Sequence, residues 1–211
     1  MLRVHCRPAN IIANSTTLST ETLVFQATFN SNRWSGDLLA YPATSAGVGA
    51  TPTWNAAARI PEHNSRKIFY WSDATGLNKG REFTWGGSGL STAEKALFDD
   101  SQSLFNYLRG DRSGEVSKQG NFRDRLDSTV LGDIAHSSPA FSKETQTVFV
   151  GANDGMLHAF TTKAAGANGL PSGSEMFAYV PSTSLPKMKA LAATNYNTNH
   201  QYFVDGDIAV S

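Results

Sequence analysis

The sequence predicts an all-β chain, a partial β-propeller carrying one helical insertion. Three observations support this. Thr147 to Gly151 (TVFVG) and Met156 to Phe160 (MLHAF) are short β-formers joined through Asn153-Asp154-Gly155, residues that tolerate the positive φ angles of a tight hairpin turn. The form G-x-L-x-A-aromatic occurs twice, at Gly36, Leu38, Ala40 and Tyr41 and again at Gly155, Leu157, Ala159 and Phe160. Each copy follows a turn and opens a return strand, as one blade of a repeat does. A sustained helical period appears in one place, between Ser91 and Gly110.

Residues 1–20 are rich in Ser, Thr and Asn, show no sustained period, and read as a lead-in; the domain is expected over 21–211. Asn14-Ser15-Thr16 matches a glycosylation acceptor, a pattern too short to carry weight. Leu23, Phe25, Ala27 and Phe29 alternate with Val24, Gln26 and Thr28, the period of a half-buried strand. A polar loop from Asn30 to Gly36 leads to a strand at Asp37 to Tyr41. Trp54 and the stretch Lys67 to Trp71 supply further strands, their aromatics read as packing rather than a ligand platform. Ser91-Thr92-Ala93-Glu94 fits a capping box, and Leu97, Phe98, Leu104, Phe105 and Leu108 recur at helical spacing up to Gly110. One helix of about 15 to 18 residues is expected. With the polar loop Asp111 to Asp127 it makes an insertion at about 86–127.

In the central hairpin Val148 and Val150 point to one face and Phe149 to the other, so both faces are apolar and the hairpin belongs between sheets. Thr161 to Gly173 reads as a loop, Met176 to Val180 as a strand ended by Pro181, and Leu185 to Leu191 as one or two helical turns. Gln201 to Val204 and Ile208 to Val210, about Asp205-Gly206, read as a final hairpin. At about 40 to 50 residues per blade the chain holds about three blades, fewer than a closed ring needs.

Composition removes several functions. Basic and acidic residues balance at 18 each, so the footprint of a general nucleic-acid binder is absent. Arg109, Arg112, Arg123 and Arg125 are interleaved with Asp111, Glu115, Asp124 and Asp127, a mixed surface. The one cysteine, Cys6, allows neither an intrachain disulfide nor a cysteine zinc site, and no 18-residue apolar run is present. Asp133, His136, Ser137 and Ser138 bring triad residue types together in sequence, but triads are defined in space, and turn chemistry before Pro139 accounts for the serines. His5, His63, His136, His158 and His200 lack metal-site spacing, and His158, on a strand, reads as a hydrogen-bonded, partly buried side chain. Gly86-Gly87-Ser88-Gly89 lacks the Lys-Ser/Thr of a phosphate loop. No residue is assigned to catalysis, a cofactor or a metal. Asn153, Asp154 and Gly155 are assigned to the turn alone, so Asp154→Asn is expected to be nearly neutral.

The motifs GDIAHSSPAF, VFVGANDGMLHAF, FAYVPS and HQYFVDG, with WSGDLLAY and NYLRGDRSGE before them, resemble the type IV pilus tip-associated PilC/PilY family of assembly factors and adhesins. The likeness covers roughly residues 21–211 and implies the N-terminal part of a quinoprotein-like propeller. It implies a non-enzymatic module for pilus biogenesis, surface attachment and twitching motility at the cell surface, pilus tip or outer membrane. Its partners would be minor pilins and pilus machinery, with a host or surface receptor. The VGANDGMLHAF core is shared with quinoprotein dehydrogenases and outer-membrane assembly scaffolds, which stand as alternatives; Thr161-Thr162-Lys163 departs from the T-G-K turn of the dehydrogenases. The family also implies a calcium loop. Here Asp205 and Asp207 are followed by Ile208, Ala209, Val210 and Ser211, so calcium is expected downstream of residue 211 and no better than millimolar binding within this chain.

Overall fold

The alternation beginning at Leu23 builds the first of two sheets among the described residues. In the computed structural model, which describes residues 6–15, 22–74, 79–125, 129–163 and 169–210, strands β1 (Cys6–Ala13), β2 (Leu23–Asn30), β3 (Ser35–Thr44) and β5 (Trp54–Asn55) form an antiparallel meander. The two-residue strand β4 (Gly47–Val48) folds back on the end of β3. His5, Thr16, Asp127 and Ser211 lie outside the described residues.

The second sheet is six-stranded. Its strands are β6 (Ile68–Trp71), β7 (Gly80–Glu82), β8 (Ala140–Ser142), β9 (Thr147–Gly151), β10 (Leu157–Thr161) and β11 (Glu175–Val180), ordered β7-β6-β11-β10-β9-β8. Strands β8 to β11 are a second antiparallel meander, and β6 adds to it by parallel pairing with β11. Strand outweighs helix, 30% to 16%, and the chain is an all-β, propeller-like fragment. Both copies of the G-x-L-x-A-aromatic form lie at the third strand of a meander, on β3 and at the turn into β10. Leu38, Ala40, Ala159 and Phe160 are fully buried, while Leu157 and Tyr41 are half-buried. The described residues contain two four-stranded meanders and an added hairpin, not three blades, because β6 and β7 complete the second sheet instead of starting a sheet of their own.

The second sheet has two unlike faces. Val148, Val150, His158, Phe160, Ala178, Val180, Ile68 and Tyr70 all point one way and are all buried. At the β8–β10 end this face meets Phe25, Ala27, Leu38 and Ala40 of the first meander. At the β6–β11 end it meets two helices, α1 (Thr92–Ala96) and α2 (Gln102–Arg109), and the 3-10 segment Leu185–Ala192. Phe69 and Trp71 lie on the opposite face, 37% and 45% exposed.

Four expectations change. The lead-in contains an edge strand, since β1 pairs with β2 from Cys6↔Asn30 to Ala13↔Val24; a register shift between Pro8 and Ile11 breaks the alternation that would have revealed it. The single helix is two. Ser101 is a second N-cap, accepting from Leu104 N, and Asp99 and Asp100 break the run at φ of 54° and 51°, a conformation that Asp tolerates. The capping box at Ser91 and Glu94 is formed. The loop from Asn30 to Gly36 is shorter than expected, with β3 starting at Ser35. The final hairpin is absent: residues 201–210 form no strand; Phe203 N donates to Asn153 of the central hairpin instead, and Asp205 accepts from His136 N.

Candidate functional site

The turn between β9 and β10 is the centre of a buried polar network. Gly155, at φ +95°, closes the turn against Met188, and a Cβ there would meet Met188 Cγ at 3.0 Å. Gly132 runs so close beneath it that a Cβ would lie 2.3 Å from the Asp154 nitrogen. Only glycine permits this approach. The close pass lets Gly132 N donate to Asp154 Oδ2 at 3.0 Å, while Gly36 N of β3 donates to Leu131 O at 3.1 Å. The first meander, the 131–134 segment and the second meander are thus stacked backbone to backbone.

Asn153 is buried, and its side chain and its backbone N–H are all engaged. Its backbone N–H donates to Asp133 O, its Nδ2 to Asp133 Oδ2 at 2.7 Å, and its Oδ1 accepts from Phe203 N at 2.9 Å. Asp133 in turn holds His200 Nε2 at 2.9 Å, and the His200 ring stacks on Trp34 at 3.6 Å between centroids.

Asp154 leads the other way, into the core. Its carboxylate accepts from Gly132 N and Met156 N, and both oxygens lie 3.1 Å from His158 Nε2. His158 Nδ1 is 2.8 Å from Glu175 Oε1, and Glu175 takes a two-point ion pair from Arg66 Nε and Nη2 at 2.8 and 2.7 Å. Arg66 Nη1 donates to Arg109 O at the end of α2. His158, Glu175 and Arg66 are all buried, so the four groups form a row of alternating charge summing to zero. Burial by itself would push the His158 imidazolium down, but the charge and hydrogen bonds of Asp154 and Glu175 overcome it and raise the group to about 9. Burial likewise works against ionised Glu175, yet Arg66 and His158 bring it down to about 2. Asp154 is held below the usual carboxylate range against its burial, chiefly by His158.

This row has a definite chemistry. Both ring nitrogens of His158 face carboxylates, so the ring is a double donor with no lone pair left to act as a base. The residues of the sequence-level triad diverge: Asp133 goes to Asn153 and His200, His136 to Asp205, and Ser137 Oγ accepts from Gly151 N. Among the described residues no group of three or more His, Cys, Asp or Glu is placed to hold a metal ion. Asp205 is engaged by the His136 backbone N–H and ring, which raises the His136 imidazole through their hydrogen bond.

The structure places Asn153, Asp154 and Gly155 together in the turn, but the nearly neutral Asp154→Asn counts only the turn. It omits the ion pair with His158, which Asn cannot make. Arg66 and Glu175 were missed by sequence reasoning altogether. The available signal was His158 itself, an ionisable residue in register with Val150 and Phe160 on a core-facing strand. Such a position requires a partner.

No family model matches this chain, and no solved structure matches it. Curated relatives do. The chain is 34% identical over 94% of its length to a type IV pilus biogenesis factor PilY1 homolog of Xylella fastidiosa strain Temecula1. It is 30% and 33% identical over 89% of its length to the type IV pilus biogenesis factor PilY1 of Pseudomonas aeruginosa strains UCBPP-PA14 and PAK. The chain spans 17%, 18% and 19% of the length of these relatives.

Proposed function

We propose a scaffolding role in type IV pilus biogenesis, from the premise that over nine-tenths of its length this chain belongs to the PilY1 family of type IV pilus biogenesis factors. It serves as a non-enzymatic propeller segment at the cell surface, at the pilus tip or outer membrane, and supports pilus assembly, surface attachment and twitching. Minor pilins and the pilus machinery are its partners, with a host or surface receptor beyond them. The relationship to the PilY1 factors is the observation that carries this reading. The buried row from Asp154 to Arg66 supports it, because its members are spent on one another and form a clamp between strands rather than a reactive centre. The test is in-frame removal of the codons for residues 22–210 from the chromosomal gene, with the remaining protein followed by immunoblot. Loss of surface pili and of attachment, restored by the intact gene, is expected. Normal piliation and attachment would overturn the proposal.

A further inference from the structure

One buried cation lies outside every network described above. Arg123 is 7% exposed, and its Nε and Nη1, both buried, have no hydrogen-bond acceptor among the described residues. Its backbone is fixed, the N–H donating to Ala192 O and the carbonyl accepting from Tyr107 OH. Its guanidinium lies 4.4 Å over the Tyr196 ring. A buried guanidinium with idle donors is costly, and native chains leave few such groups without a reason.

Arg123 lines a cleft of about 220 Å³ together with Arg33, Val116, Asp124, Thr194 and Asn197. Arg33 is exposed at the β2–β3 turn. The next residue, Trp34, fixes that turn to the cleft wall, its indole Nε1 donating to Asn197 O at 3.0 Å and its ring stacked on His200. A narrow fissure lined by Arg33 and Arg123 runs on from here to Gly132, Asn153 and Asp154. Asp124 is committed to Ser117 N at 2.9 Å.

We infer that this cleft binds a single carboxylate group held between Arg33 and Arg123. The charges decide the ligand class. Two guanidinium groups and the one carboxylate of Asp124 leave a single positive charge, which one carboxylate neutralises and a phosphate dianion overshoots. Planar guanidinium donors also match the planar carboxylate. Such a group is presented by an acidic side chain or C-terminus of a protein segment, or by a free small carboxylate. The site stands independently of the pilus reading.

The test is a titration of the 211-residue chain, followed through the arginine Nε–H resonances at constant ionic strength. The probes are acetate, the blocked peptide acetyl-Ala-Glu-Ala-amide, its Gln counterpart, and inorganic phosphate. Saturable displacement of the Arg123 resonance by acetate and the Glu peptide is expected, weakened about fivefold or more in Arg33→Gln, as loss of one charge-assisted pair requires. Arg33 is exposed, so this variant keeps its fold, which an unchanged melting curve verifies. A Glu peptide about tenfold tighter than acetate assigns the site to a protein segment, and equal affinity assigns it to a free carboxylate. The inference is overturned if nothing saturates, if Arg33→Gln binds equally well, if the Gln peptide matches the Glu peptide, or if phosphate binds more tightly than acetate.

Discussion

Replacing Asp154 by Asn separates a turn residue from an ion-pair partner, because Asn suits the turn equally well. In the native chain Asp154 accepts two backbone N–H groups, from Gly132 and Met156, and faces the His158 imidazolium. An amide has one acceptor oxygen, so one of the two N–H groups loses its partner, at about 1 kcal/mol. The larger loss is the pair itself. Breaking a buried ion pair costs about 3 to 5 kcal/mol. Here the figure belongs at the low end, since the Asp154 side chain is 16% exposed and His158 keeps Glu175. The expected loss is about 3 kcal/mol at pH 6. Above pH 9 the imidazole is neutral in the parent too, so the penalty should shrink to about the one lost hydrogen bond, near 1 kcal/mol. Urea denaturation of parent and variant at both pH values measures this. A loss below about 1 kcal/mol at pH 6, or the same loss at both pH values, would refute the ion-pair argument and return Asp154 to the turn alone.

The parent should be most stable between about pH 5 and 6. His158, raised from 6.5 to about 9, contributes fully below pH 6.5 and loses its contribution as pH rises through 9, a change of about 3 kcal/mol. Glu175, lowered from 4.5 to about 2, contributes above pH 4.5 and loses its contribution as pH falls through 2. A stability that rises steadily from pH 6 to pH 9 would contradict the His158 assignment, and one that stays unchanged from pH 4.5 down to pH 2 would contradict that of Glu175. Gly155→Val should cost about 1 to 3 kcal/mol by urea denaturation, because φ is +95° and the new Cβ strikes Met188; a neutral result would show that the turn relaxes freely. Calorimetric titration with calcium should give millimolar affinity at best; micromolar binding that vanishes in Asp205→Ala would place a metal site where His136 now holds the carboxylate.

The parts of the fold legible in the sequence are those set by short-range chemistry. The central hairpin follows from Asn153-Asp154-Gly155 between alternating apolar residues, and the repeat at Gly36 and Gly155 marks the third strand of each meander. The helix break was also local, yet Leu97, Phe98, Leu104 and Phe105 keep helical spacing across it, and that periodicity masked the cap at Ser101. Strand β1 was hidden for the opposite reason. As an edge strand with a register shift between Pro8 and Ile11 it keeps no sustained alternation, and Ile11 is 65% exposed. The site was legible only at His158. Arg66 and Glu175 are separated by more than 100 residues, and a lone Arg or Glu in sequence reads as surface until its burial is known.

That separation explains why the row of charges sits where it does. An antiparallel hairpin inherits its register from its turn, as β9 and β10 do from Asn153 to Gly155, but the parallel pair of β6 and β11 has no turn to set it. Arg66 stands just before β6 and Glu175 opens β11, so their two-point ion pair joins the two strands at the same end. A slip of either strand would part the pair and leave a buried charge alone, a larger penalty than mismatched apolar contacts impose. His158 and Asp154 extend the same constraint across β10 to Gly132, and from there the backbone stack reaches β3. The apolar faces supply the cohesion of the two meanders, and the buried charges fix which residues of the second sheet stand opposite one another.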